Sequence, residues 1–251
     1  MNDTLPCGDI PDWYLRRRLA VLDLGSDQWR RARPGLLSPG YEPDVCMRRL
    51  AEAGRLRRVR RGVYVVVDPV RETAPIAIAS ALYAGDRYYV TTDAALSYHG
   101  LIDQPISTIT VVLARRARPV DIGPAIVRPV TLAERRLIEA DAFATTIDGF
   151  PIRVATREQA VTDALAEPAW MSQGSLLGEV VATLSEDELE RTTTQTIGRT
   201  TAAAQRLGYL VEDAGRQLPN ALASVHPVRS VRLRPGSTAR GPYSSRWRVY
   251  G

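Results

Sequence analysis

The stretch Arg55-Leu56-Arg57-Arg58-Val59-Arg60-Arg61-Gly62-Val63-Tyr64 decides how the N-terminal part of this chain folds. It predicts a β-hairpin, with strands over Leu56–Arg60 and Val63–Val67 and with Gly62 supplying backbone freedom at the turn. A guanidinium group is planar and binds a phosphate or a guanine edge through paired hydrogen bonds. The stretch therefore predicts an arginine-rich ribbon of the kind that contacts DNA.

The residues before the ribbon predict helices. Asp44–Ala53 reads as a helix that Gly54 terminates in the left-handed conformation. At 100° per residue, Cys46, Leu50 and Ala53 share one apolar face, and Arg48 and Arg55 lie roughly opposite with Arg49 beside them. Upstream, the apolar spacing predicts a first helix over Pro11–Leu24 and a short second helix from Ser26 to Arg31. Three helices followed by a ribbon predict an N-terminal winged helix-turn-helix DNA-binding domain over residues 1–70.

The remainder, residues 71–251, predicts a larger mixed α/β domain, so that the fold class of the whole chain is α+β. Thr156 through Gln159 and Ser185 with Glu188 have the spacing of helix capping boxes. The predicted strands are Tyr88–Val90, Thr108–Leu113, Pro124–Val130, Ala142–Ile147, Ile152–Val154 and a pair around Pro235-Gly236. The predicted helices are Pro75–Ala84, one capped by Thr92 and running through Tyr98, one after Thr156, one from Leu176 to Leu184, one after Ser185, and Thr201–Leu210.

All 33 basic residues are arginine, and the absence of lysine excludes whole classes of site. A P-loop needs a lysine at the phosphates, and a Schiff-base enzyme needs one as its nucleophile. The charge is also segregated: residues 13–61 carry a balance of +8, residues 62–225 one of −6, and residues 226–251 one of +6. Two basic ends around an acidic middle are typical of one or two anion-binding surfaces.

Other functional classes find little support. Cys7 and Cys46 form neither a zinc spacing nor a disulfide framework, and His99 and His226 have no second ligand near them in sequence. Serine residues lack a nucleophile elbow, so we expect no catalytic residues, no metal and no cofactor. The N-terminus does not read as a signal peptide and no apolar run is long enough to span a bilayer, which predicts a cytoplasmic protein without a membrane partner.

The candidate DNA-binding residues each have a structural alternative. On the helix, Arg48 spaced four residues from Glu52 is also what a solvated ion pair requires. On the ribbon, like charges repel without a nearby acid, which favours phosphate or minor-groove contact, although some side chains have Asp68 or Glu72 as candidate partners. The predicted DNA-binding set is Arg48, Arg49, Arg55, Arg57, Arg58, Arg60 and Arg61.

The basic C-terminal segment forms a second candidate surface, because no acidic residue accompanies its arginines. Alternation along predicted strands places Arg232 with Arg234, and Arg246 with Arg248. The surface suits nucleic acid or an acidic partner, and it equally suits an edge strand that charge protects from aggregation. Its residues are Arg229, Arg232, Arg234, Arg246 and Arg248.

Four blocks of the sequence, in order, resemble the AbiEi family, the antitoxin half of the bacterial type IV AbiE toxin–antitoxin systems. The resemblance covers most of the chain from about residue 45. The blocks are Leu50 through Tyr64, similar to the end of a recognition helix plus wing; Tyr89 through Leu101; Ala203 through Leu210; and Ser245 through Val249.

The resemblance implies a repressor that binds its own promoter, double-stranded DNA with inverted repeats, through the winged helix. It further implies a C-terminal antitoxin domain that counteracts a cognate toxin of nucleotidyltransferase-like fold. A different class stays open, a protein-interaction module that neutralises the toxin by contact while DNA binding is secondary.

Overall fold

A computed structural model of the chain describes residues 21–23, 43–60, 63–67, 73–83, 85–148, 150–234 and 241–251. These residues combine helices and strands in an α+β fold, as the sequence predicts. No helix within those ranges is long and apolar enough to cross a membrane.

The helices follow the predicted order closely after residue 43. They are α1 (Pro43–Glu52), α2 (Pro75–Leu82), α3 (Thr92–Tyr98), α4 (Glu134–Glu139), α5 (Arg157–Ala166), α6 (Leu177–Thr183), α7 (Glu186–Arg199), α8 (Thr201–Asp213) and α9 (Asn220–Ala223). The strands are β1 (Val21–Asp23), β2 (Leu56–Arg60), β3 (Val63–Val66), β4 (Tyr88–Thr91), β5 (Thr108–Leu113), β6 (Val120–Asp121), β7 (Ile126–Thr131), β8 (Ala142–Ile147), β9 (Phe150–Ala155), β10 (Val231–Arg232), β11 (Tyr243–Ser244) and β12 (Val249–Tyr250).

A six-stranded mixed sheet of order β6-β7-β5-β4-β9-β8 forms the centre of the molecule. Strand β4 runs antiparallel to β5 and parallel to β9, and all four of its residues are buried. Since alternate side chains of a strand point to opposite faces, a strand buried throughout needs cover on both sides. Tyr89 and Thr91 on one face bond to Asp163 of α5, and helix α2 packs against the neighbouring strands β9 and β5.

Helix α5 shows why these residues form a helix in this place. The Thr156 hydroxyl accepts a hydrogen bond from the Gln159 backbone N–H and so caps the first turn. The predicted core positions Ala160, Val161, Ala164 and Leu165 are all fully buried. The Ser185–Glu188 capping box at the start of α7 is present in both directions, as predicted. Gln159 differs, because its side chain donates to Asp163 instead of closing a second box.

Three local predictions are wrong, each for a physical reason. Val21–Asp23 is a strand, where a helix through Leu24 was expected, because it pairs antiparallel with the ribbon strand β3. Ala53 is exposed, since α1 ends at Glu52 and the next residue leaves the helical face. Thr92 does not cap α3: it is the first helical residue, with φ of 49°, and its hydroxyl donates to the Trp170 carbonyl at 3.1 Å.

The rest of the predicted first helix and the Ser26–Arg31 helix lie outside the described residues, as do Trp13, Trp29 and Pro235-Gly236. The domain boundary near residue 70 also falls there and stays a prediction. Across that boundary the ribbon packs against the larger body, because Val63 and Val65 belong to the same buried cluster as Ile78 and Val90.

The C-terminal strands dock on α8 through Trp247. Its indole ring is 1% exposed, and its Nε1 donates to the Glu212 carboxylate at 2.6 Å. A side chain at position 208 would overlap the indole ring, so that Gly208 leaves the space that the ring occupies. This packing holds β12 between β10 and β11.

We predict that Gly208→Ala destabilises the fold by about 1–3 kcal/mol, because the added methyl group forces the Trp247 ring from its place. Gly198→Ala in α7 is the matched control. A methyl group there meets open space, so helix propensity predicts unchanged stability or a gain of up to about 1 kcal/mol. Urea denaturation of both variants measures the difference. Equal midpoints would contradict the docking of Trp247 on α8.

Candidate nucleic-acid interface

Helix α1 presents two arginines to solvent. Met47 and Leu50 are buried on its inner side, and Arg48 and Arg49 are exposed. Gly54, two residues after the end of α1, has a φ of +71°, the left-handed conformation predicted for it. Among the described residues, the outer side of α1 therefore faces solvent.

The ion pair that the sequence offered as an alternative for Arg48 is also present. Its Nε lies 3.9 Å from Glu52 Oε1, and the two side chains are 67% and 69% exposed. An exposed pair of this kind contributes about 0.3–0.5 kcal/mol, so it does not hold Arg48 away from a phosphate or a base. Arg48 is paired and still accessible.

The ribbon forms as predicted, with one irregularity. Strand β2 pairs antiparallel with β3, but the register shifts between Arg58 and Arg60, which makes Val59 a β-bulge. In a regular strand Arg58 and Arg60 would share one face. A bulge redirects the side chains that follow it, and here the two arginines have different surroundings.

Two ribbon arginines are directed into the protein. The Arg60 guanidinium donates to the carbonyl of Leu82 at the end of α2, at 2.9 Å. The Arg57 guanidinium lies directly against Gly123, and its Nε is buried without a hydrogen-bond partner in the described structure. Both arginines therefore join the ribbon to the larger body.

Arg58 alone among the described ribbon arginines is exposed, and Arg55 is partly buried with an interaction of its own. Arg61 lies outside the described residues, together with Asp68 and Glu72. The structure thus brings Arg48, Arg49 and Arg58 to the surface of one helix-and-ribbon unit. The bulge that separates Arg58 from Arg60 leaves no mark in the sequence, since every strand position around it is arginine or valine.

The electrostatic surroundings of Arg60 support its internal role. Tyr83 follows α2 and is 1% exposed, and burial raises the pKa of its phenol. The nearby positive charges of Arg60 and Arg115 oppose this rise in the pKa of Tyr83. Arg115 itself forms a two-point pair with Asp86, at 2.8 and 2.6 Å.

Two arginines of the C-terminal basic surface make contacts within the protein. The prediction that Arg246 and Arg248 alternate along a strand is wrong. Both lie in the turn between β11 and β12. Arg246 pairs with Glu212 and stacks over Trp247, 5.2 Å from the ring centroid. Arg248 donates to the Val228 carbonyl at 2.6 Å.

The other members of that surface are exposed. Arg232 ends β10 and has an interaction of its own, and Arg234, predicted to share its strand face, lies beyond the strand end beside Gly174. Arg229 is exposed, and its carbonyl accepts from Gln205. The structure therefore brings these arginines to one region without forming one continuous cationic strand face.

Histidine and carboxylate groups have structural partners. His99 Nε2 lies 2.8 Å from the Ala155 carbonyl, and the ring contacts Tyr98 and Phe143. The Asp93 carboxylate accepts from the backbone N–H groups of Ser172 and Gln173 at 2.8 and 2.9 Å. Among the described residues no three His, Cys, Asp or Glu side chains lie together as a metal site would require.

Comparison with known proteins adds to this geometry. Residues 88–213, half of the chain, match the AbiEi antitoxin C-terminal domain family. The chain belongs to the AbiEi antitoxin family. The match runs from β4 through α8 and so covers all six strands of the central sheet and helices α3 to α8. Membership supports an antitoxin role in a toxin–antitoxin system, and it favours a regulator over an enzyme.

A crystal structure of the RV2827C protein from Mycobacterium tuberculosis has the same fold, with a TM-score of 0.60 at 21% sequence identity. The alignment covers 96% of this chain and 92% of that one. No curated protein matches the sequence. At this identity the likeness concerns the fold alone.

Because Arg60 is directed into the protein and Arg58 toward solvent, their removal should affect stability to different extents. Arg60→Ala removes a charged hydrogen bond to the Leu82 carbonyl and should cost about 1–3 kcal/mol of unfolding free energy. Arg58→Ala removes an exposed side chain from the same strand and should stay within about 0.5 kcal/mol of the unmodified chain. Chemical denaturation measures the unfolding free energy of both variants. A greater loss of unfolding free energy in Arg58→Ala would show that Arg58, and not Arg60, is directed into the protein.

Proposed function

We propose that this protein is a DNA-binding antitoxin that represses its own toxin–antitoxin operon and counteracts a nucleotidyltransferase-like toxin. One observation carries the DNA-binding part: α1 exposes Arg48 and Arg49 beside a ribbon that exposes Arg58. Membership in the AbiEi antitoxin family supports the antitoxin part. Residues 1–70 form the DNA-binding unit in this proposal, and residues 71–251 form the antitoxin unit.

The chemistry of the interface follows from the exposed groups. Helix α1 enters the major groove, where Arg48 or Arg49 bonds to guanine O6 and N7, a contact that contributes about 1–3 kcal/mol of discrimination. Arg58 contacts the flanking phosphates, and Arg61, three residues later in the sequence, is proposed to do the same. Arg57 and Arg60 fix the angle between ribbon and body, and so they position the contacts without making them.

A salt series tests the proposal on the purified chain. Its own upstream duplex, expected to carry inverted repeats, is compared with a scrambled duplex by fluorescence anisotropy. Tight binding that prefers the upstream site and weakens steeply with salt is expected of a repressor with several arginine–phosphate contacts. Weak and equal binding to both duplexes would refute the DNA-binding part.

Charge reversal at one position tests the ribbon contact. Arg58→Glu should weaken binding to both duplexes by similar factors and reduce the salt slope by about one or more, because it removes a phosphate contact and adds a repulsive charge. The matched control is Arg136→Glu on α4, another exposed arginine, which lies near Gln195 and Arg199. If both variants lose affinity equally, net charge is responsible and the ribbon assignment is wrong.

The same variant separates repression from protection against the toxin. With the full-length chain expressed from an unrelated promoter, Arg58→Glu should still protect cells that express the cognate toxin. From the native promoter it should release a reporter gene from repression. Loss of protection in a variant that folds normally would instead favour one surface that serves DNA and toxin together.

A further inference from the structure

The central sheet ends in two edge strands of very different character. At one edge, β6 consists of Val120 and Asp121 alone, which leaves little backbone for another chain to pair with. At the other edge, β8 is six residues long and reads Ala-Phe-Ala-Thr-Thr-Ile, without a charge or a proline. Exposed edges are normally blocked by charge, proline, a bulge or short length, and β8 has none of these.

The backbone groups that β8 turns outward are identified by its pairing with β9. The Thr156 N–H donates to the Asp141 carbonyl at 2.9 Å, and Ile147 and Phe150 close a two-residue turn at the opposite end. In an antiparallel pair every second residue bonds to the partner strand, so that Phe143, Thr145 and Ile147 bond to β9. The N–H and C=O groups of Ala142, Ala144 and Thr146 point away from the sheet, and no described strand pairs with them.

Apolar side chains accompany this open edge. Phe143 is 37% exposed and packs 6.1 Å from the ring of Tyr98, which is 40% exposed. The Tyr98 hydroxyl lies 3.2 Å from Thr145 Oγ1, and this contact fixes the ring beside the strand. Ala144 and Thr146 are small enough to let another backbone approach.

We propose that β8 pairs antiparallel with β8 of a second copy of this chain, about a two-fold axis at Ala144. Ala142 then faces Thr146 of the partner subunit, and the three outward residues of each strand form about six hydrogen bonds across the axis. No like charges oppose each other along the paired strands, since β8 is uncharged. In this two-fold pairing the β8 edge of each copy is occupied by the β8 of the other. Because the remaining edge strand, β6, is too short to pair with a further chain, the assembly closes as a dimer and does not propagate.

The choice of a second copy over another strand rests on this self-complementarity. The two-fold register sets Phe143 over Thr145 of the partner subunit, and it brings the two exposed Phe143–Tyr98 pairs to the same interface. The proposal goes beyond the DNA-binding function and does not depend on it.

A proline at the axis tests the pairing with little effect on the subunit. Ala144→Pro removes an N–H that points away from β9, and proline is tolerated at such positions of edge strands. Ala144→Ser keeps the N–H and is the matched control. In sedimentation velocity over a concentration series, the unmodified chain and Ala144→Ser should be dimers, whereas Ala144→Pro should be monomeric with an unchanged circular dichroism spectrum.

A second measurement on the unmodified chain covers the case in which Ala144→Pro does not fold. Residue-resolved amide exchange should show Phe143, Thr145 and Ile147 protected at all protein concentrations. Ala142, Ala144 and Thr146 should become protected only as the dimer forms. This alternation is specific to pairing through β8, because burial of another surface would leave these three amides exchanging freely.

Three outcomes would overturn the proposal. The first is an unmodified chain that stays monomeric throughout the series. The second is a dimer that persists in folded Ala144→Pro. The third is protection of the outward amides in a monomer, which would show that another segment of the same chain covers β8.

Discussion

The carboxylate of Asp163 is the interaction on which the arrangement of the larger sheet and its helices depends. It is fully buried in α5 and accepts hydrogen bonds from Tyr89 at 2.9 Å and from Thr91 at 2.8 Å. Gln159, one turn earlier, donates to its other oxygen at 2.9 Å. Because Tyr89 and Thr91 lie on one face of β4, α5 has to cross that face where both hydroxyl groups reach the same carboxylate.

The burial and charge of Asp163 make a displacement of its carboxylate costly. Burial raises the pKa of Asp163, and the hydrogen bonds from Thr91 and Tyr89 and the charge of Arg199 act in the opposite direction. Arg199, the last residue of α7, lies 3.8 Å away. A buried charge that loses one partner is left with an uncompensated desolvation cost, so a shift of α5 or α7 is costly. The Asp163 carboxylate therefore fixes where α5 lies relative to β4 and α7.

The ribbon docks on the larger body, and its docking selects which arginines remain available. Arg60 reaches the end of α2 and Arg57 lies against Gly123 beside β6, so both are used to attach the ribbon. The exposed arginines of α1 and β2 then acquire a defined position relative to the AbiEi domain. For a protein proposed to bind DNA at one end and to counteract a toxin at the other, this coupling relates the orientations of the two surfaces.

Local patterns predicted most of the elements and fewer of the contacts. The β-branched run Thr108–Leu113 and the capping residue Ser185 have strong preferences of their own, and both are observed as predicted. The helix predicted over Val21–Asp23 is wrong because this segment pairs with β3, 40 to 44 residues later in the sequence. The helical spacing of its apolar residues carries no information about that pairing. The β-bulge at Val59 is invisible for the same reason, since register depends on both strands at once.

Arginine itself explains why the charge pattern overstates the candidate site. A guanidinium has five donors and a flat face, so it satisfies buried carbonyls and stacks on rings as readily as it binds phosphate. Arg246 pairs with the Glu212 carboxylate and stacks over Trp247, and Arg206 bonds to the carbonyls of Leu165 and Arg232. A chain without lysine must use arginine for all of these purposes. The segregation of charge along the sequence therefore locates the basic regions, but only burial and hydrogen bonding separate the cations that hold the fold from those that face a ligand.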